Sequence, residues 1–291
     1  MTFNFDSYVE NSGPLNLYGI DFERACDWQL EPEELRALDY FIDVEGHTTF
    51  WARDLLNTNL RHDPKVRTFI TCWAYEELFH NRALEKFRRA YDEQVSSNAR
   101  AQGPARPLKE AFEALGTRFL GLWPRVQRAT YLAWGAAAEL TTVTGYVLLA
   151  RRTRNPVLRE LLQRICKDER KHFAFYYGEA KRALSTSAVV RRSTFQILSA
   201  LWTPVGAGIK PRLEFEFLIR YLAEVDEGAG YEGLLEIDHM MARLPGFERF
   251  SKFESLLRDL APRSYKENSS PSRSGVTFTP ASRAHSRSIS A

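Results

Sequence analysis

Glu77-Leu78-Phe79-His80 and Glu169-Arg170-Lys171-His172 are two copies of one pattern, Glu-x-x-His, each inside a long stretch with helical periodicity. A lone acid among apolar neighbours lies upstream of each, Glu45 before the first and Glu139 before the second. Residues three apart on a helix occupy neighbouring ridges of one face, so Glu and His can chelate one ion from a single helix. A facing helix with one Glu can complete or bridge the coordination. Four carboxylates and two imidazoles in this order form the ligand set of a carboxylate-bridged dinuclear site inside a four-helix bundle. The pattern therefore predicts metal ligands at Glu45, Glu77, His80, Glu139, Glu169 and His172. Carboxylate and imidazole donors without thiolates suit iron or manganese over structural zinc.

The intervals agree with this reading. Glu45 and Glu77 are 32 residues apart and Glu139 and Glu169 are 30 apart, each a helix hairpin's length. The 62 residues between Glu77 and Glu139 leave room for a long crossover between the halves. Phe41, Ile42 and Thr48 flank Glu45, Trp73 precedes Glu77 by a turn, and Gly135, Ala136 and Thr142 flank Glu139. Acids in such company need a reason to be buried, because an unpaired buried charge is expensive. A metal supplies it. The small run Gly135–Ala138 also lets another helix approach closely.

Boundary signals place the helices. Pro32 with Glu33 and Glu34 opens the first core helix, which runs to about Asn59. Asp63-Pro64 opens the second, to about Gln94; 96–107 reads as a loop and 108–120 as a shorter helix. Trp123-Pro124 starts the third and Asn155-Pro156 the fourth, ending near Leu184. Further helices are expected near 189–201, 212–223, 231–244 and 247–260. The expected fold is all-α, a four-helix bundle with additional C-terminal helices. Residues 1–30 form an irregular lead-in, 31–261 the helical domain, and 262–291 a basic Ser/Arg-rich tail read as disordered.

Composition excludes other classes. The chain has 291 residues, 44% hydrophobic and 13% aromatic, enough for a bulky, ring-lined core. Its net charge of +3 is concentrated in the tail, where five Arg and Lys stand against Glu267; a basic tail on a near-neutral body is no nucleic-acid footprint. No run of 18 uncharged apolar residues is present, so no membrane span is expected. The first residues lack a basic region followed by an apolar one, so no secretory signal is expected. Cys26, Cys72 and Cys166, an odd set without CxxC spacing, read as buried thiols in a reducing cytosol, with disulfides the alternative.

Trp73-Ala74-Tyr75-Glu76-Glu77-Leu78-Phe79-His80 resembles the W-x-A-E-E-x-x-H segment of the soluble acyl-carrier-protein desaturases, in the ferritin-like superfamily. Asp168-Glu169-Arg170-Lys171-His172, with Tyr176 four beyond the His, is similar to that family's D-E-x-R-H-x-x-x-Y, with Lys171 in the Arg position. Glu139-Leu140-Thr141-Thr142 resembles its E-R-A-T. The resemblance covers roughly residues 30–260, and its specific part is the two motif segments. Tyr75 stands where the family has Ala, Asn81 where it has Gly, and Asp43-Val44-Glu45-Gly46-His47 departs from its T-E-D/E context. His47 is an extra imidazole there, either close behind the site or partly exposed on its helix.

The resemblance implies a ferritin-like bundle holding two iron ions, or a mixed manganese/iron pair, and an oxygen-dependent oxidation of a long apolar chain. Carried over by position, Thr142 lies beside the oxygen-binding position. Asp168 orients a His ligand, and Trp73 and Tyr176 stand just outside the ligands. The implied partners are acyl carrier protein or another apolar substrate, an external electron donor such as ferredoxin, and a second copy in a homodimer. The implied location is cytoplasmic. An acidic carrier needs a basic rim, for which Arg82, Lys86, Arg88 and Arg89, or Arg151, Arg152 and Arg154, are candidates. The same six ligands serve amine N-oxygenases, aldehyde-deformylating oxygenases, manganese/iron ligand-binding oxidases and non-catalytic iron-handling proteins, and fold analogy does not separate them.

Overall fold

The computed structural model describes residues 3–95, 120–206 and 209–260. Among these residues the secondary structure is helical, without strands, and the fold is an all-α bundle. Helix α1 is Phe5–Asn11, α2 Pro32–Leu56, α3 Pro64–Val95, α4 Pro124–Arg152 and α5 Pro156–Leu184. The C-terminal part adds α6 Ala188–Leu201, α7 Arg212–Ala223, α8 Ala229–Ala242 and α9 Lys252–Leu260. The lead-in expected to be irregular contains α1 and a 3-10 turn, Phe22–Asp27. The last helix starts at Lys252 rather than Phe247, because turns occupy the residues around Gly246. The loop expected at 96–107, the helix at 108–120 save its last residue, and the tail at 262–291 lie outside the described residues.

Local chemistry explains the helix starts. Pro occupies the first turn of α2, α4 and α5, where its missing N–H costs nothing. Asn155 caps α5 by accepting from the backbone N–H groups of Val157 and Leu158, both at 3.1 Å. Asp63 does the same for α3, accepting from Lys65 N–H at 2.9 Å and Val66 N–H at 3.2 Å. For α9 the cap comes from another helix: Asp238 of α8 accepts from Phe253 N–H at 3.1 Å and Glu254 N–H at 2.8 Å. That long-range cap ties the last helix to the one before it.

Two hairpins make the core. Helices α2 and α3 pack together, as do α4 and α5, and α3 meets α5 across the middle. A ring stack fills that middle: Phe69 of α3 lies face to face with Phe175 of α5 at 3.7 Å, and Tyr176 stands edge-on to Phe69 at 5.0 Å. The close approach of α5 to α4 depends on Gly135. A Cβ there would lie 2.6 Å from the ring of Tyr176, which is itself fully buried. Helix α4 is long and apolar enough to cross a membrane, yet 61% of its most apolar window is buried inside the bundle, and it carries Glu139. Its apolarity serves the core. Cys26, Cys72 and Cys166 are free thiols; against the expectation that all three are buried, Cys26 and Cys72 are only partly so, while burial pushes Cys166 up to about 12.

Helices α6 and α8 lean on α4, and α7 packs on α2. Arg36 of α2 grips Glu214 of α7 with two hydrogen bonds of 2.9 and 3.0 Å, and its guanidinium lies 3.9 Å over the Phe217 ring. Gly206, at φ +87°, lies against the Tyr40 phenol, whose OH donates to Val205 C=O at 2.9 Å; a side chain at Gly206 would collide with that ring. Replacing Gly135 with Ala is expected to destabilise the protein by about 1–3 kcal/mol in a denaturant or thermal melt, overpacking against Tyr176 outweighing the gain in helix propensity.

Candidate metal centre

The four central helices bring all six predicted ligand residues to one place. Glu45 comes from α2, Glu77 and His80 from α3, Glu139 from α4, and Glu169 and His172 from α5. All six are buried, with Glu169, His80 and His172 fully so. They fall into two groups that could hold a metal ion: Glu45, Glu77, His80 and Glu169, and Glu77, Glu139, Glu169 and His172. Within each group one donor atom per residue lies within 4.8 Å of the others. Glu77 and Glu169 belong to both. The shared carboxylates are thus the two inside the Glu-x-x-His motifs, and the lone acids Glu45 and Glu139 sit at opposite ends.

The two histidines have parallel surroundings. His80 Nδ1 lies 3.0 Å from Glu169 Oε1, and His172 Nδ1 lies 3.0 Å from Glu77 Oε1, so each ring faces the other motif's Glu. The outward nitrogens meet a second layer of acids. His172 Nε2 is hydrogen-bonded to Glu76 Oε2 at 2.7 Å. His80 Nε2 lies 3.5 Å from Asp168 Oδ2, a charge contact rather than a formed hydrogen bond. Each supporting acid immediately precedes the Glu of one motif and serves the His of the other. Such partners fix an imidazole's tautomer and raise its basicity as a ligand.

Glu76 was not among the expected site residues, although the acid doublets Glu76-Glu77 and Asp168-Glu169 advertise the symmetry. Tyr146 was missed too. Its OH donates to Glu45 Oε1, and nothing in its sequence surroundings marks it. Of the other expected neighbours, Tyr176 is buried with its OH unpaired, and Trp73 stands edge-on to it at 5.7 Å with its indole N–H also unpaired. Trp73 therefore packs beside Tyr176 and donates no hydrogen bond. The Thr142 hydroxyl donates to Ala138 C=O one turn back at 3.2 Å. His47 is exposed, its Nδ1 2.8 Å from Asp43 C=O one turn back.

Electrostatics show what the cluster demands. Burial, then the charges of Glu77 and Glu169, pushes the Glu45 carboxyl well above the ordinary range; burial and the same two acids do so for Glu139. Burial acts to lower the two histidines, but the surrounding carboxylates outweigh it and raise His80 to about 9 and His172 likewise upward. Burial acts to raise Glu169, but the close approach and charge of both histidines, with a hydrogen bond from His80, hold it well below the ordinary range. With no cation, the cluster takes up protons instead. Glu77 Oε1, Glu169 Oε2 and His172 Nδ1 are also buried without a hydrogen-bond partner. Native interiors rarely leave buried polar atoms so, and a metal ion satisfies oxygen and nitrogen lone pairs together. The donor set fits a metal.

Beside the cluster, between α2, α4, α7 and α8, runs a cleft of ≈ 20 Å³ lined by Phe41, Val44, Thr142, Phe215, Leu218 and Leu222, among others. Phe41, which lines it, packs on Tyr146 at 4.7 Å, and Tyr146 donates to Glu45. Of the candidate basic rim, Arg88 is paired with Asp39 and Asp92, and Arg152 donates to Tyr221 C=O. Arg82, Arg89, Arg151 and Arg154 are exposed.

In the metal-free protein His80 titrates near 9 rather than 6.5, so its contribution to stability is complete below pH 6.5 and is lost as the pH rises to about 9. Glu45 and Glu139, also raised, act in the same direction. Thermal melts of metal-free protein are expected to lose on the order of 1–3 kcal/mol across that window. Metal-loaded protein is expected to lose none, since its ligands are already deprotonated. No family model, curated protein or solved structure matches the chain.

Proposed function

We propose that the chain is a di-iron, oxygen-dependent oxidase acting on a long apolar chain, of the acyl-carrier-protein desaturase type. The observation that carries this reading is the sharing of Glu77 and Glu169 between two four-residue groups. Two adjacent ions held by common carboxylates are what such sharing accommodates. Charge agrees: two divalent cations balance four carboxylates with both imidazoles neutral. Iron bound there would supply oxygen activation and the oxidation of an unactivated C–H bond.

The chain's own residues supply holding, orientation and dryness. Glu45 and His80 close one end of the site, Glu139 and His172 the other, and Tyr146 steadies Glu45. The aromatic packing of Phe69, Phe175 and Tyr176 keeps water from the α3/α5 side. The cleft supports an apolar substrate over an amine. Among the described residues no charged side chain lines it, and the hydroxyls of Thr141 and Thr142 are turned back to their own helix at 2.7 and 3.2 Å. At ≈ 20 Å³ it has room for about one water, so an acyl chain enters only as α7 yields from α2 and α4. In this reading the carrier docks on the exposed arginines. A ferredoxin-like donor supplies electrons, and the protein works in the cytoplasm, as a homodimer.

Ferrous protein supplied with oxygen, a reductant and acylated carrier protein is expected to yield unsaturated chains on lipid analysis. Unchanged chains from protein with an occupied centre would sink the desaturase reading. Turnover of an amine or aldehyde in the same assay would then place the activity among the oxygenases. Because Glu169 belongs to both groups, Glu169→Ala is expected to remove at least one iron per chain by metal analysis, while Glu45→Ala perturbs one group alone. Full iron content in Glu169→Ala refutes the ligand assignment.

A further inference from the structure

Behind the two histidines the second layers end differently. In the His80 half, Asp168 is gripped by Lys171 at 2.7 Å, and the Lys171 side chain is 47% exposed. That end is ionic and wet. In the His172 half, Glu76 accepts a 2.7 Å hydrogen bond from the OH of Tyr8, on α1. Tyr8 is 6% exposed and held between Phe3 and Phe69, with ring centroids 5.4 and 5.3 Å away. Its ring also stands edge-on to the His172 imidazole at 6.4 Å. That end is closed by an uncharged phenol and is dry.

The difference has consequences for the imidazoles. A lysine neutralises the carboxylate it grips, leaving less charge to draw the His80 N–H, and the His80–Asp168 separation is 3.5 Å. A phenol orients Glu76 while leaving its charge intact, and the His172–Glu76 separation is 2.7 Å. In a dry setting a hydrogen bond to a charged group is stronger than in a wet one.

We infer that Tyr8 is a positioning residue for the metal centre: through Glu76 it locks His172 with Nδ1 facing the carboxylates, making the His172 half the tighter of two unequal metal positions. This rests on the two-ion reading above. It makes the short helix α1, 68 residues from Glu76 in sequence, a working part of the site.

The test is a cobalt(II) titration of the metal-free full-length chain, followed by the visible absorption of the bound ion. The imidazole nitrogen resonances of zinc-loaded protein assign each step to its histidine. Wild type is expected to fill the His172 half first. Tyr8→Phe, which removes one hydroxyl and keeps the ring, is expected to weaken that step by roughly ten-fold and to shift the His172 resonances. The His80 step stays as it was. Lys171→Ala is expected to leave the His172 step unchanged.

Glu76→Gln weakens the same step, and adding Tyr8→Phe to it costs nothing further, a coupling that general loosening of the fold would not produce. Glu76→Gln alone also carries the test if Tyr8→Phe does not fold. Wild-type protein that binds no metal overturns both readings. Two normal metal steps in wild type with the His172 step unmoved in Tyr8→Phe or Glu76→Gln overturn this inference alone.

Discussion

Four carboxylates in one dry volume are the constraint from which the rest of the structure follows. Glu45, Glu77, Glu139 and Glu169 are all buried and close together, and like charges at that range repel strongly in a low dielectric. Such a cluster persists only when positive charge sits among the oxygens. Without a cation, protons serve: Glu45 and Glu139 are driven upward and both histidines are held protonated. With divalent metal, those protons leave and the lone pairs are satisfied together. The cluster is therefore destabilising in itself and stabilised by what it binds.

The surrounding bundle is arranged to keep that volume dry and rigid. Each hairpin supplies one lone acid and one Glu-x-x-His, so the centre inherits an approximate two-fold repeat from the repeated helix pair. The support repeats as well, since Glu76 backs His172 and Asp168 backs His80. The symmetry breaks in the outer layer, where one half ends on a buried phenol and the other on a surface lysine. On the face beyond Glu45, the C-terminal helices roof the bundle and enclose the apolar cleft. The Arg36–Glu214 salt bridge from α2 holds α7 there.

Much of this was legible in the sequence because helices carry their own periodicity. Residues three apart share a face wherever the helix goes, so Glu77 with His80 and Glu169 with His172 could be paired without a structure. Pro32, Pro64, Pro124 and Pro156 marked the helix starts because Pro fits only a first turn. The lone acids Glu45 and Glu139 stood out by their apolar neighbours. Trp73 and Tyr176 pack edge-on in the core, a contact that was not readable in the sequence, since a ring's neighbours depend on how helices cross.

What the sequence by itself determined, then, is the helical character, the two hairpins and the identity of the six clustered residues, since these depend on spacing within single helices. The tertiary structure alone decided that the motif carboxylates are the shared pair, that Glu76 backs the opposite His, and that Tyr8 and Tyr146 reach in from elsewhere. It also decided that the cleft is narrow and apolar. The physical reason is that these contacts join residues with no shared local period. Tyr8 meets Glu76 across 68 residues and Tyr146 meets Glu45 across 101, and only the packing angle of one helix on another brings such pairs within hydrogen-bond reach.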